Sequence, residues 1–216
     1  MLSPPSSGRK VEDMPFDPSA YPFSTRVTPD ARAEVVDAVA AAMLATGLLE
    51  PSPPPAALRW IDTFVEAYGP TLETVADAVP LVADLRAEAV IVPALQLEKL
   101  RNRAVLFFLD SVSQYVDDQP ELRDLPLEGD LLEIAREFGL APEDALWAVR
   151  VALTGATGGP PLELLFPLLG HDRIMMRIGA INSHVLHGRG LETIPFGPDG
   201  KPFTTIVGRR PQSELA

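Results

Sequence analysis

The chain contains no cysteine, which removes disulfide frameworks, thiol nucleophiles and thiolate zinc sites together. Aromatic residues make up only 6%, so few positions could stack a ring on a ligand. Histidine occurs at His171, His184 and His187. His184 and His187 fall one helical turn apart, but no acid pair follows at ligand spacing, and neither a metal nor a cofactor is expected. Long hydrophobic runs are also missing. Ala89–Leu95 and Ala104–Leu109 fall far short of the roughly 18 residues needed to span a bilayer and read as core segments. Residues 1–10 lack the apolar middle of a secretory signal, and the expectation is a soluble cytoplasmic protein. There is no Gly-x-Gly-x-x-Gly, no phosphate loop, no nucleophile elbow and no strand–helix alternation to host one. No catalytic residue is assigned.

What is present is apolar substance and negative charge. Hydrophobic residues form 46% of 216, enough to bury a sizeable core. The net charge is −12, which excludes a generic basic nucleic-acid binder, because phosphate meets no overall attraction. The acidity belongs to the middle of the chain: residues 31–182 hold 23 acidic and 11 basic side chains, whereas the two ends carry 7 of each. Any contact with a polyanion must therefore be a local cluster on a repelling surface.

The organisation reads as a helical body with two different ends. Residues 1–28 hold Pro4, Pro5, Pro15, Pro18 and Pro22 with little periodicity, a strap whose rings Phe16, Tyr21 and Phe23 could dock it on the body. Thr28-Pro29-Asp30 starts a helix that runs to Gly47. A second helix follows the proline break at residues 51–55 and ends at Gly69-Pro70. A third runs from Thr71 until Pro80 kinks or stops it. Pro93 is expected to open the longest helix, with a buried face from Leu95 to Tyr115. Asp130 is placed as the cap of a short helix ending at Gly139, and Pro142 starts another that delivers Arg150. From Asn182 onward the pattern leaves the helical period. Residues 193–196 and 203–207 read as two strands around an Asp199-Gly200 bend, a small hairpin.

Between Arg150 and Arg173 the special residues punctuate two helices. Thr154 closes a last turn, Gly155 suits a left-handed cap, and Gly158-Gly159-Pro160-Pro161 makes a tight loop whose prolines suit the next helix start. Gly170 then ends that helix. Exposed loop N–H groups beside Arg150 describe a recognition surface better than a bond-making site. This stretch, with its Leu153-Thr-Gly155 turn, Gly/Pro loop and Leu168-Leu-Gly170 helix end, resembles the C-terminal segment of bacterial glutamyl-tRNA synthetases, where the same succession closes the anticodon-binding domain. The resemblance runs from about Asp30 to about Ile181 and includes the weaker match Ala45-Thr-Gly-Leu-Leu49. Arg150–Arg177 carries its specific part.

The resemblance implies an all-α fold, a multi-helix anticodon-binding cage of about eight helices with a non-helical N-terminal strap and a small C-terminal β-hairpin. The expected division is 1–28, 29–182 and 183–216. The implied partner is tRNA, glutamate-specific, read through its anticodon loop. Arg150 matches a position beside the anticodon pocket, where a guanidinium can stack on, or pair bidentately with, an unstacked base. Pro160 and Leu162 match the pocket's apolar wall, and Gly159 belongs to the same loop. Arg173 and Arg177, at i and i+4, are expected on one stripe. The His-Ile-Gly-His-like and Lys-Met-Ser-Lys-Ser-like signatures with which whole synthetases bind ATP are absent. The implied role is that of a freestanding domain that binds tRNA without charging it, presenting it to another tRNA-using enzyme or completing a separate synthetase catalytic chain. The alternative is a protein–protein interaction or regulatory module on the same scaffold that has lost RNA binding. Lys99, Arg101 and Arg103 form a second basic group, read as paired with surplus acids. Trp147 is the nearest aromatic in sequence to Arg150.

Overall fold

The computed structural model describes residues 29–88, 90–119, 121–187, 191–193 and 204–207. The expected N-terminal strap lies outside them. Helix formation follows the apolar period. In α1 (Pro29–Ala45), Val39, Ala42 and Met43 face inward. In α2 (Pro55–Tyr68), Ile61, Phe64 and Val65 do so, and Trp60, Phe64 and Tyr68 stack at i, i+4 spacing with centroids 5.8 and 5.2 Å apart. A 3₁₀ turn over Gly69–Thr71 ends α2. Thr74 then caps α3 (Val75–Arg86): the Asp77 carboxylate accepts from the Thr74 N–H at 2.9 Å and from its hydroxyl at 2.8 Å. α3 passes through Pro80. The ring removes one ladder bond, and the buried face of Val75, Ala78, Val82 and Leu85 holds the helix on both sides of it.

Three sequence expectations change between Ala87 and Gly139. Val90–Pro93 is a strand, β1, with Val90 and Val92 buried and Ile91 outward. The single long helix expected from Pro93 is two, α4 (Ala94–Leu100) and α5 (Arg103–Asp117). The break is chemical: Asn102 leaves the helical region and its side chain accepts from the Ala104 N–H at 2.9 Å, capping a new helix. α6 (Leu127–Glu137) begins ahead of Asp130, which therefore lies inside its first turn and accepts from the Tyr115 hydroxyl at 2.6 Å instead of capping.

α7 (Pro142–Thr154), α8 (Leu162–Leu169) and α9 (His171–His187) complete the body. The helical period continues five residues past Asn182, because Ile174, Ile178 and Ile181 keep α9 on the core and its last turns follow. Beyond it, β2 (Leu191–Thr193) and β3 (Thr204–Val207) pair antiparallel. The hairpin expected there is present, with its first strand earlier than the residues 193–196 read from the sequence. β3 also pairs with β1, Val90 opposite Val207, giving a sheet in the order β1-β3-β2. The described residues thus form nine α-helices around one core, with α9 against α5, α7 and α8, and α2 between α1 and α8.

Candidate nucleic-acid interface

The joint between α7 and α8 is built by backbone constraints. Gly155 closes α7 in the left-handed region at φ 71°, its N–H donating to the Val151 carbonyl at 2.8 Å. A Cβ on Gly155 would lie 1.9 Å from the Ile91 carbonyl oxygen of β1. This position therefore needs glycine twice over, for its φ and for the close passage of β1. Gly159, at φ 146°, is the second constrained point.

Arg150 reaches from the last turn of α7 across the loop. Its Nη1 donates to the Pro160 carbonyl at 2.5 Å and lies 3.2 Å from where a Gly159 Cβ would stand. The guanidinium both holds the loop and occupies the space that glycine leaves. Its backbone carbonyl accepts from the Thr154 hydroxyl at 2.8 Å, and the Thr154 oxygen accepts from the Ala156 N–H at 3.2 Å. Around this strut Gly158, Gly159 and Pro161 are exposed, whereas Pro160 and Leu162 are buried. Their side chains seat the loop on the core, with the glycines as its solvent face.

The aromatic beside this site is Tyr68, which the sequence reading missed. It is half-buried, burial pushes its hydroxyl above the usual phenol range, and the charges of Arg150 and Arg177 partly offset that shift. The signal was available in the Trp60, Phe64, Tyr68 spacing running up to Gly69. Trp147 belongs elsewhere: its Nε1 donates to Gln96 Oε1 at 3.2 Å, and Lys99 Nζ sits 5.9 Å from its ring.

The expected Arg173–Arg177 stripe does not form. Arg177 is 2% exposed. It donates to the carbonyls of Asp84, Leu85 and Ala87 at 2.7, 3.3 and 2.7 Å, and to Leu153 at 2.5 Å. These are the C-terminal carbonyls of α3 and α7, whose partial negative charge makes an interior cation tolerable. Burial, with the charge of Arg173 second, pulls its pKa down to about 10, so it remains charged at neutral pH. Arg173 is half-buried at the surface, donating to the Arg86 carbonyl at 3.1 Å and the Leu169 carbonyl at 3.2 Å. The second basic group is occupied: Arg101 pairs with Glu98 at 3.0 Å, and Arg103 lies 5.1 Å from the Phe107 ring. Arg150, Gly159, Pro160 and Leu162 thus meet at one joint, Arg173 stands at the other end of α8, and Arg177 is internal.

Comparison with known proteins decides the family. A family model described as "Anticodon binding domain" matches residues 23–181. The chain belongs to the anticodon-binding domain family. Its relatives are of the glutamate–tRNA ligase kind. It is 32% identical over 123 residues to the glutamate–tRNA ligase of Akkermansia muciniphila, covering 57% of this chain and 26% of that protein. It is 23% identical over 123 residues to glutamate–tRNA ligase 2 of Caldanaerobacter subterraneus subsp. tengcongensis, covering 57% and 25%. The chain therefore spans about a quarter of the length of these relatives. A crystal structure of a glutamate tRNA ligase from Elizabethkingia meningosepticum shares the fold, with a TM-score of 0.54 at 12% identity over 71% of this chain and 29% of that one. The anticodon-binding cage inferred from the Arg150–Arg177 stretch is the observed architecture.

Among the described residues no group of three His, Asp or Glu side chains could hold a metal ion, and no helix is long and apolar enough to cross a membrane. His171 pairs with Asp117 and Asp172, each at 3.3 Å, and the side chain of His187 lies outside the described residues.

Proposed function

We propose that this chain recognises tRNA, glutamate-specific, through the anticodon loop, and that it does so at the α7–α8 joint without aminoacylating by itself. The observation that carries the reading is Arg150 fixed at the head of an exposed glycine loop, one donor committed to Pro160 and none paired with a carboxylate among the described residues. On a surface this acidic, an arginine without an acid partner is available to an anion or a base edge. A guanidinium held by its own loop loses little freedom on binding, and Tyr68 supplies a half-buried ring nearby. The family membership and the naming of its relatives as glutamate–tRNA ligases support the choice of tRNA. A separate catalytic chain, or another tRNA-using enzyme, is the partner that this division of labour calls for.

The test is filter binding of labelled glutamate tRNA to the wild-type protein and two variants. Arg150→Ala removes the strut and should weaken binding by roughly 10-fold or more. Gly158→Glu adds a carboxylate where a Cβ meets nothing within 4 Å and φ is not left-handed, so it leaves the fold intact and should weaken binding comparably. Full binding by Gly158→Glu would remove the joint from the interface. No binding by the wild-type chain at low salt would overturn the tRNA reading and leave the scaffold as a protein-interaction module.

A further inference from the structure

A cleft of about 540 Å³ opens at the far end of α8 from the Arg150 loop. Met43, Leu48 and Trp60 give it an apolar wall, and Arg86 and Arg173 give it a cationic one; Glu50 is the single acid lining it. The two arginines are positioned by backbone. Arg86 Nη1 donates to the Leu48 carbonyl, Arg173 Nε donates to the Arg86 carbonyl at 3.1 Å, and Arg173 Nη1 to Leu169 at 3.2 Å. No carboxylate pairs with either among the described residues, although acids outnumber bases about two to one in the body. Two adjacent guanidiniums with donors left over, beside an indole, have the composition of a nucleotide subsite: phosphate on the arginines, base on the apolar wall.

The cleft is tied to the proposed interface through one helix. Trp60 Nε1 donates to the Leu168 carbonyl at 2.8 Å, at the end of α8, while Leu162 begins α8 beside the Arg150 loop. At about 1.5 Å of rise per residue, the two sites lie roughly 10 Å apart along it, close enough for one strand to visit both. We infer that the cleft takes a second, unstacked nucleotide of the bound RNA, its phosphate held by Arg86 and Arg173 and its base against Trp60. The inference rests on the tRNA reading above and extends its footprint to the α1–α2 loop.

Trp60 supplies the test. The chain has 2 tryptophans, so Trp147→Phe leaves Trp60 as the only indole. Titration with glutamate tRNA should quench its fluorescence as the base stacks. Ala56→Glu, placed in the same background, puts a carboxylate into the cleft at the first turn of α2, where the helix dipole favours it, and removes no hydrogen bond. It should weaken binding roughly tenfold and lower the slope of log affinity against log salt by about one. Binding that is lost in Gly158→Glu, unchanged in Ala56→Glu and silent at Trp60 would overturn the cleft while leaving the tRNA reading standing. No binding by the wild-type chain would overturn both.

Discussion

Replacing Arg177 by methionine tests how this fold tolerates an interior cation. The substitution keeps length and apolar bulk and removes the donors that meet four backbone carbonyls. Of these bonds, those to Leu153 and Leu85 are fully buried, and those to Asp84 and Ala87 are half-buried, where water can substitute. An unsatisfied buried carbonyl costs about 1–3 kcal/mol. Loss of the cation also leaves the C-terminal ends of α3 and α7 facing one another uncompensated, worth a further ~1 kcal/mol. Relief of the guanidinium's own desolvation works in the opposite direction. Because no buried acid is left without its partner, the cost rests on the two fully buried carbonyls and the helix ends, less that relief, and nets to about 2–4 kcal/mol of destabilisation. For a body of this size each kcal/mol lowers Tm by roughly 2–4 °C. Urea unfolding followed by far-UV circular dichroism reads the change directly. Arg177→Lys separates charge from geometry: it preserves the cation but not the planar fork, and should fall between wild type and Arg177→Met. A loss below about 1 kcal/mol in Arg177→Met, or a gain, would refute the role assigned to the carbonyl cage.

Three further outcomes follow from the same geometry. Gly155→Ala forces a left-handed alanine against the Ile91 carbonyl and should cost about 3 kcal/mol or more, read as a fall in the urea midpoint; wild-type stability would show that β1 does not pass where described. Asn102→Ala removes the cap of α5 and should cost about 1 kcal/mol in the same assay, with no change expected if α4 and α5 were continuous. His184 is held below its ordinary value of 6.5 by burial, with Arg101 second, so the unfolded chain binds its proton more readily than the folded one. Stability therefore falls as pH drops below about 6.5 and is indifferent to this group above it. His184→Leu should flatten the midpoint between about pH 7 and 5.5, and identical slopes would contradict the assignment.

The sequence made the helices legible where periodicity and punctuation agreed. α1, α2 and α7 start at prolines and end at or near glycine or Gly-Pro, and their apolar stripes needed no tertiary knowledge. The α7–α8 joint was legible for the same reason, since Gly155 and Gly159 adopt positive φ there, as Gly170 does where α8 ends. What stayed hidden depended on distant partners. β1 is four residues long and its pairing partner is Val207 at the other end of the chain, so its apolar run read as generic core. The break at Asn102 stayed hidden because the apolar face continues on either side of it, so the period alone reads as one helix. Arg177 read as a surface cation because its partners are backbone carbonyls on α3 and α7, which no residue pattern announces. Tyr68 and Arg150 are far apart in sequence, and the fold brings the ring within reach of the guanidinium's charge.

The most direct test of the central claim is fluorescence anisotropy of labelled glutamate tRNA against the purified chain at two salt concentrations, with an anticodon-altered transcript of the same tRNA as competitor. Affinity should weaken with salt, as the phosphate contacts of a local patch require, and the competitor should displace poorly. Equal displacement by the altered transcript would contradict anticodon reading at the α7–α8 joint, and no binding at the lower salt would contradict tRNA recognition altogether.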